Sequence, residues 1–105
     1  MALPNKVNEN RARRILTFQQ SAITEVSDFM QKFEDGVEHF NVVIKLHEGN
    51  ELKVIIRAVG IDGINHELVV YWTRTVDDAK LMAGALIILV NNLAHNACST
   101  YYGIE

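Results

Sequence analysis

A chain of 105 residues supports one hydrophobic core and is too short for two, and 49% apolar residues, 22% charged residues and a single proline mark a folding chain rather than a disordered one. The formal net charge of −3 lacks the basic excess of a protein devoted to duplex nucleic acid. Cys98 is the only cysteine, which excludes an internal disulfide and a cysteine-built metal cage and fits a reducing compartment. The opening residues Met1 to Lys6 have no apolar run of the secretory kind, so a cytoplasmic location without membrane partners is expected. The apolar stretch Leu81 to Val90, about ten residues, is roughly half of a spanning helix and reads as a buried one.

From about Asn10 to Asp35, Ile15, Phe18, Ala22, Val26, Phe29 and Phe33 recur at steps of three and four, with Leu16, Ile23 and Met30 on a neighbouring stripe. The spacing predicts an amphipathic helix with Asn8 or Asn10 as its cap and Gly36 as a left-handed C-terminal cap. The middle of the chain alternates with period two: Phe40, Val42, Ile44 and Leu46; Leu52, Val54, Ile56 and Ala58; Leu68, Val70 and Trp72. Three strands sharing one buried face follow. A three-residue loop Glu48-Gly49-Asn50 sets Leu46 against Leu52, whereas a two-residue loop would bring Lys53 onto the apolar face. A second loop, Ile61-Asp62-Gly63, places Gly63 where φ must be positive and sets Ile56 against Leu68, Arg57 against Glu67 and Leu52 against Trp72.

Thr75 and Asp78 form a capping box at the start of a second helix, with Asp77 and Asp78 at the positive end of its dipole. Its buried face is Ala79, Ala83, Leu86, Val90, Leu93, Ala97 and Tyr101, widened by Met82, Ile87, Leu89 and Ala94. The whole reads as one α+β domain over residues 1–105, with residues 1–9 as an N-terminal arm. Its order is α-β-β-β-α, a two-layer sandwich of a three-stranded antiparallel meander with two long helices on one face.

Four features invite a functional reading. Leu81, Gly84, Ala85 and Ile88 lie opposite the core stripe of the second helix, and small residues beside large apolar ones suit close approach of another helix. That patch is either a self-association seam or is covered by the first helix. On the helix-free face of the sheet the register makes rows of Asn41, Arg57 and Glu67; Val43, Ile55 and Val69; Lys45, Lys53 and Tyr71; and His47, Glu51 and Thr73. An apolar row beside cations can receive a partner protein or a flat anionic ligand, or can be an ordinary solvated face. Arg11, Arg13 and Arg14 gather near the start of the first helix, where its dipole disfavours cations, and an anionic partner or a Glu9–Arg13 pair would compensate them. Asn92, His95 and Ser99 make the end of the second helix polar enough to hold a small polar ligand.

Catalysis and metal binding find less support. His95 and Cys98 share proximity alone, and His39 and His47 lie too far apart along a strand to share an ion. The element order resembles that of double-stranded-RNA-binding domains, with Asp77-Asp78-Ala79-Lys80-Leu81-Met82-Ala83 standing where that family carries its lysine-rich helix start. Two aspartates at the phosphate-facing positions would repel RNA, so the resemblance implies topology and not that activity. The reading that remains is a non-enzymatic interaction module without cofactor or metal. It is a small homo-oligomeric regulator, inhibitor or adaptor whose partners are a second copy and another protein. The alternative is a small-ligand, nucleotide-like binder or sequestering protein that uses the polar end of the second helix.

Overall fold

The computed structural model describes residues 3–33, 35–94 and 103–105, of which residues 3–8 are described by backbone alone. Its elements are α1 (Leu3–Lys32), β1 (Val37–Leu46), β2 (Leu52–Gly60), β3 (Asn65–Thr73) and α2 (Val76–Leu93). The three strands form an antiparallel meander in the order β1-β2-β3, as the alternation predicts. Both helices run antiparallel to β3 on one face of the sheet. α2 lies over all three strands, while α1 packs against α2 and β3.

The core between helices and sheet unites Phe18, Ala22, Val26 and Met30 of α1 with Met82, Leu86, Leu89 and Val90 of α2 and with Val42, Ile44, Val54 and Ile56 of the strands. These lie on the helical stripes and alternating strand positions that the sequence marks out, because those positions face the layer boundary. Leu46 differs: it sits at the far end of β1 and is 63% exposed.

The turns follow their glycines. His47 N–H donates to the Glu51 carbonyl across the first loop, and Gly49 adopts φ 71°. In the second, Gly60 N–H donates to the Ile64 carbonyl and Gly63 takes φ 85°. A Cβ on Gly60 would stand 2.4 Å from that carbonyl oxygen, so this position needs glycine for close approach.

Three expectations give way. α1 starts at Leu3, ahead of Asn8 and Asn10, with Pro4 in the first turn, where a missing N–H costs nothing. Gly36 is not left-handed: its N–H donates to the Phe33 carbonyl, and its own carbonyl accepts from Ile61 N–H at the β2–β3 turn. The third difference changes the map of the sheet. Val54 pairs with Tyr71 but Ile55 pairs with Val69, so β3 carries a bulge at Val70, and the faces of the residues beyond it are exchanged. Leu52 therefore pairs with Thr73 rather than Trp72, and Trp72 pairs with Lys53. Val70 and Tyr71 both pack on the helix-side core, while Trp72, 50% exposed, turns to the other face. The gain is local: the Tyr71 ring meets Phe18 edge-on at 5.8 Å, and its hydroxyl reaches α2.

Candidate functional site

α1 and α2 run side by side in the same direction. Gln19 Nε2 donates to the Ala85 carbonyl at 3.0 Å and joins the two helices there. Toward the beginning of both helices lies a groove of about 850 Å³, walled by Arg11, Arg14 and Ile15 of α1 and by Asp77, Asp78, Leu81, Gly84 and Ile88 of α2.

Asp78 organises its polar end. The residue sits in the first turn of α2, where its N–H donates to Thr75 Oγ1 at 3.3 Å as expected of the cap, but the return half of the capping box is not made, because Thr75 N–H donates to Thr73 Oγ1 instead. Its carboxylate accepts from the Arg14 guanidinium and, at 2.8 Å, from the Tyr71 hydroxyl. Burial pushes this carboxyl up, but the bonds from Arg14 and Tyr71 outweigh burial and hold it below the ordinary carboxylate range. The bond to Asp78, joined by burial, raises Tyr71 above the usual phenol range. One carboxylate thereby ties α1, β3 and α2 together. The sequence signals only its capping role, because the bulge that delivers Tyr71 is invisible to period-two reasoning.

The four residues of the outer α2 patch are placed differently. Ala85 is buried beneath α1, Leu81 and Gly84 are half-buried in the groove, and Ile88 is 52% exposed. A methyl group on Gly84 would find no atom within 4 Å, so α1 does not fill the space beside it. On α1, Leu16 and Ile23 are 54% and 42% exposed. Their seven-residue spacing puts them on one stripe, on the same side of α1 as Gln19, which faces α2. Leu16, Ile23, Leu81 and Ile88 thus rim the outer side of the helix pair.

The helix-free face of the sheet departs from the expected rows. Val43 and Ile55 are fully buried and offer nothing to a partner, Val69 is half-buried, and Tyr71 belongs to the opposite face. Trp72 stands in its place beside Lys45 and Lys53, with the Lys53 ammonium 5.7 Å above its ring and His47 edge-on at 5.2 Å. Arg57 pairs with Glu67 at 2.7 Å, as its register predicts, and Lys45 reaches the same carboxylate at 3.1 Å. Burial pushes the Glu67 carboxyl up, and the bonds from Arg57 and Lys45 more than offset this, holding it low.

The remaining guanidinium nitrogens of Arg57 bind Glu105 at 3.0 and 3.1 Å. Those bonds hold the Glu105 carboxyl below its ordinary range. Around it, Gly103–Glu105 runs parallel to β1 along its outer edge: Ile44 N–H donates to the Gly103 carbonyl, Glu105 N–H to the Ile44 carbonyl and Leu46 N–H to the Glu105 carbonyl, at 2.8–3.0 Å. Sequence reasoning missed this pairing, since three residues are too few to show a period.

The arginine cluster loses its dipole argument, because α1 begins two turns before Arg11. Arg14 is engaged by Asp78, Arg11 lines the groove, and among the described residues no ion pair joins Glu9 to Arg13. Asn92 is exposed on the last turn of α2, which ends at Leu93; His95, Cys98 and Ser99, like Ala97 and Tyr101, lie outside the described residues. Among the described residues no three His, Cys, Asp or Glu side chains gather as for a metal ion, and no helix is long and apolar enough to cross a membrane. His66 stacks instead on Phe33 at 4.3 Å.

The fold and site define a small α+β domain of α-β-β-β-α order with an apolar-rimmed helical layer. Compared with protein-family models, curated proteins and solved structures, the chain gives no match.

Proposed function

We propose that this chain is a non-enzymatic protein–protein interaction module that self-associates through the outer side of its helix pair and serves as a small regulator, inhibitor or adaptor of another macromolecule. The observation that carries the reading is the exposed apolar rim of Leu16, Ile23 and Ile88 around half-buried Leu81 and an unoccupied space at Gly84. Full burial of a Leu or Ile side chain is favourable by about 1.5–3 kcal/mol, and each rim residue still exposes about half of that surface. A second copy of the same helix pair supplies matching apolar surface, and the groove carries both signs of charge, Arg11 and Lys80 against Asp77. A two-fold axis through the groove would let the Asp77 of each copy face a cation of the other.

The test is sedimentation of the wild type against Ile88→Glu. The side chain is half exposed, so its replacement gives up about half of that burial within the monomer, roughly 1–1.5 kcal/mol, and leaves the chain folded. Association is expected to weaken while the circular dichroism spectrum stays unchanged; unaltered association would remove this surface from the interface.

A further inference from the structure

We propose that the outer edge of β1 is an acceptor for an extended acidic peptide of a partner protein, and that Gly103–Glu105 of the chain itself occupies this site as a detachable latch. The inference goes beyond self-association of the helical layer and does not depend on it.

The observations concern one strand edge. Ile44 and Leu46 turn their N–H groups away from β2, and both are satisfied by carbonyls of the tail, while the Ile44 carbonyl accepts from Glu105. This is strand addition in the parallel sense, a mode in which main-chain bonds supply attraction and one side chain supplies selectivity. The selecting group is Arg57, which grips the Glu105 carboxylate with two nitrogens across β1. Among the described residues the helix-free face presents Lys45, Lys53 and Arg57 near that edge against Glu67, with Glu51 at the end of the face 3.8 Å from Arg74; this is a cationic excess that Glu105 reduces and that an acidic strand in trans would reduce equally.

The grip is also weak enough to open. Among the described residues it consists of a three-residue segment with an exposed Ile104 side chain and an ion pair whose carboxylate side chain is 39% exposed. Segments held by a few exposed main-chain bonds sit at the low end of the stability range within a fold. A partner strand bringing an apolar-acidic pair in the same sense would recover every bond that the tail gives up.

The experiment titrates a fluorescent synthetic peptide of residues 99–105 into the full chain and into its Glu105→Pro variant, read by anisotropy. Glu105→Pro removes both the N–H given to Ile44 and the carboxylate given to Arg57, while leaving the β1 edge untouched. The variant is expected to bind the peptide at least about tenfold more tightly than the wild type, because its own tail no longer competes. Adding Arg57→Glu to it, or replacing the peptide's Glu105 by Lys, is expected to abolish binding. Equal affinity for both chains, no binding to a folded Glu105→Pro chain, or indifference to either charge change would overturn the proposal. A concentration-dependent wild-type dimer that Glu105→Pro abolishes would overturn it as well, by making the occupant a second copy. Should the variant not fold, amide exchange of the wild type decides. The Ile44 and Leu46 amides are expected to exchange well ahead of those of β2 and to slow on adding peptide, whereas exchange only at the rate of global unfolding would show that the latch does not open.

Discussion

Gly84 stands in the middle of the 18-residue α2, and nothing within 4 Å would meet a Cβ placed there. In a lone chain the substitution Gly84→Ala therefore adds helix propensity without a clash, a gain of about 0.5–1 kcal/mol. For a domain of this size that raises the melting temperature by about 3–6 °C, measured at high dilution so that association does not contribute. If a second helix packs closely on Gly84, the same methyl group overfills the contact and costs about 1–3 kcal/mol. The association constant then falls by roughly 5- to 150-fold. The assay pairs urea denaturation of dilute protein with sedimentation of concentrated protein. A less stable monomer would mean that some group does occupy the space at Gly84. A stabilised chain with unchanged association would mean that the seam does not pass over this residue.

Two further predictions follow from the polar contacts and from the bulge. Because Tyr71 and not Trp72 faces the core, Tyr71→Ser is expected to destabilise by about 2–4 kcal/mol and Trp72→Ser by under about 1 kcal/mol in urea denaturation; the reverse order would restore the unbulged register. Asp78, Glu67 and Glu105 all have carboxyls held below their ordinary range, so the stability they contribute is fully present above pH of about 4 and is lost as pH falls through their folded values. Asp78→Asn is expected to flatten that acid limb in melts between about pH 5 and 2; an unchanged slope would show that the Arg14 and Tyr71 contacts do not persist in solution.

Most of the fold was legible because it rests on periodicity. Phe18, Ala22, Val26 and Met30 mark the buried side of α1, and Val42, Ile44, Val54 and Ile56 mark that of the sheet, since burial at a layer boundary selects apolar residues at fixed spacing. The first loop's length was legible from the facing of Leu46 and Leu52, and the second's from Gly63, whose φ is positive. What escaped is what breaks period or spans distance. The bulge at Val70 exchanges the faces of Tyr71 and Trp72, and no residue type announced it. The pairing of Ile104 with Ile44 joins segments sixty positions apart, and it put a bound acid, Glu105, on the Arg57 that alternation alone had marked as open. The buried state of Val43 and Ile55 was hidden for a related reason: alternation assigns a residue to a face but says nothing of what covers that face. Of the candidate site, the patch residues were found but their division was not, with Ala85 beneath α1 and Ile88 outside it.

The central claim, self-association through the helix pair, is tested most directly by native mass spectrometry of the wild type beside Ile88→Glu. The account predicts a multiple of 11.9 kDa for the wild type and 11.9 kDa for the variant. A wild type that stays at 11.9 kDa across the accessible concentration range, or a variant that keeps the wild-type multiple, would contradict it.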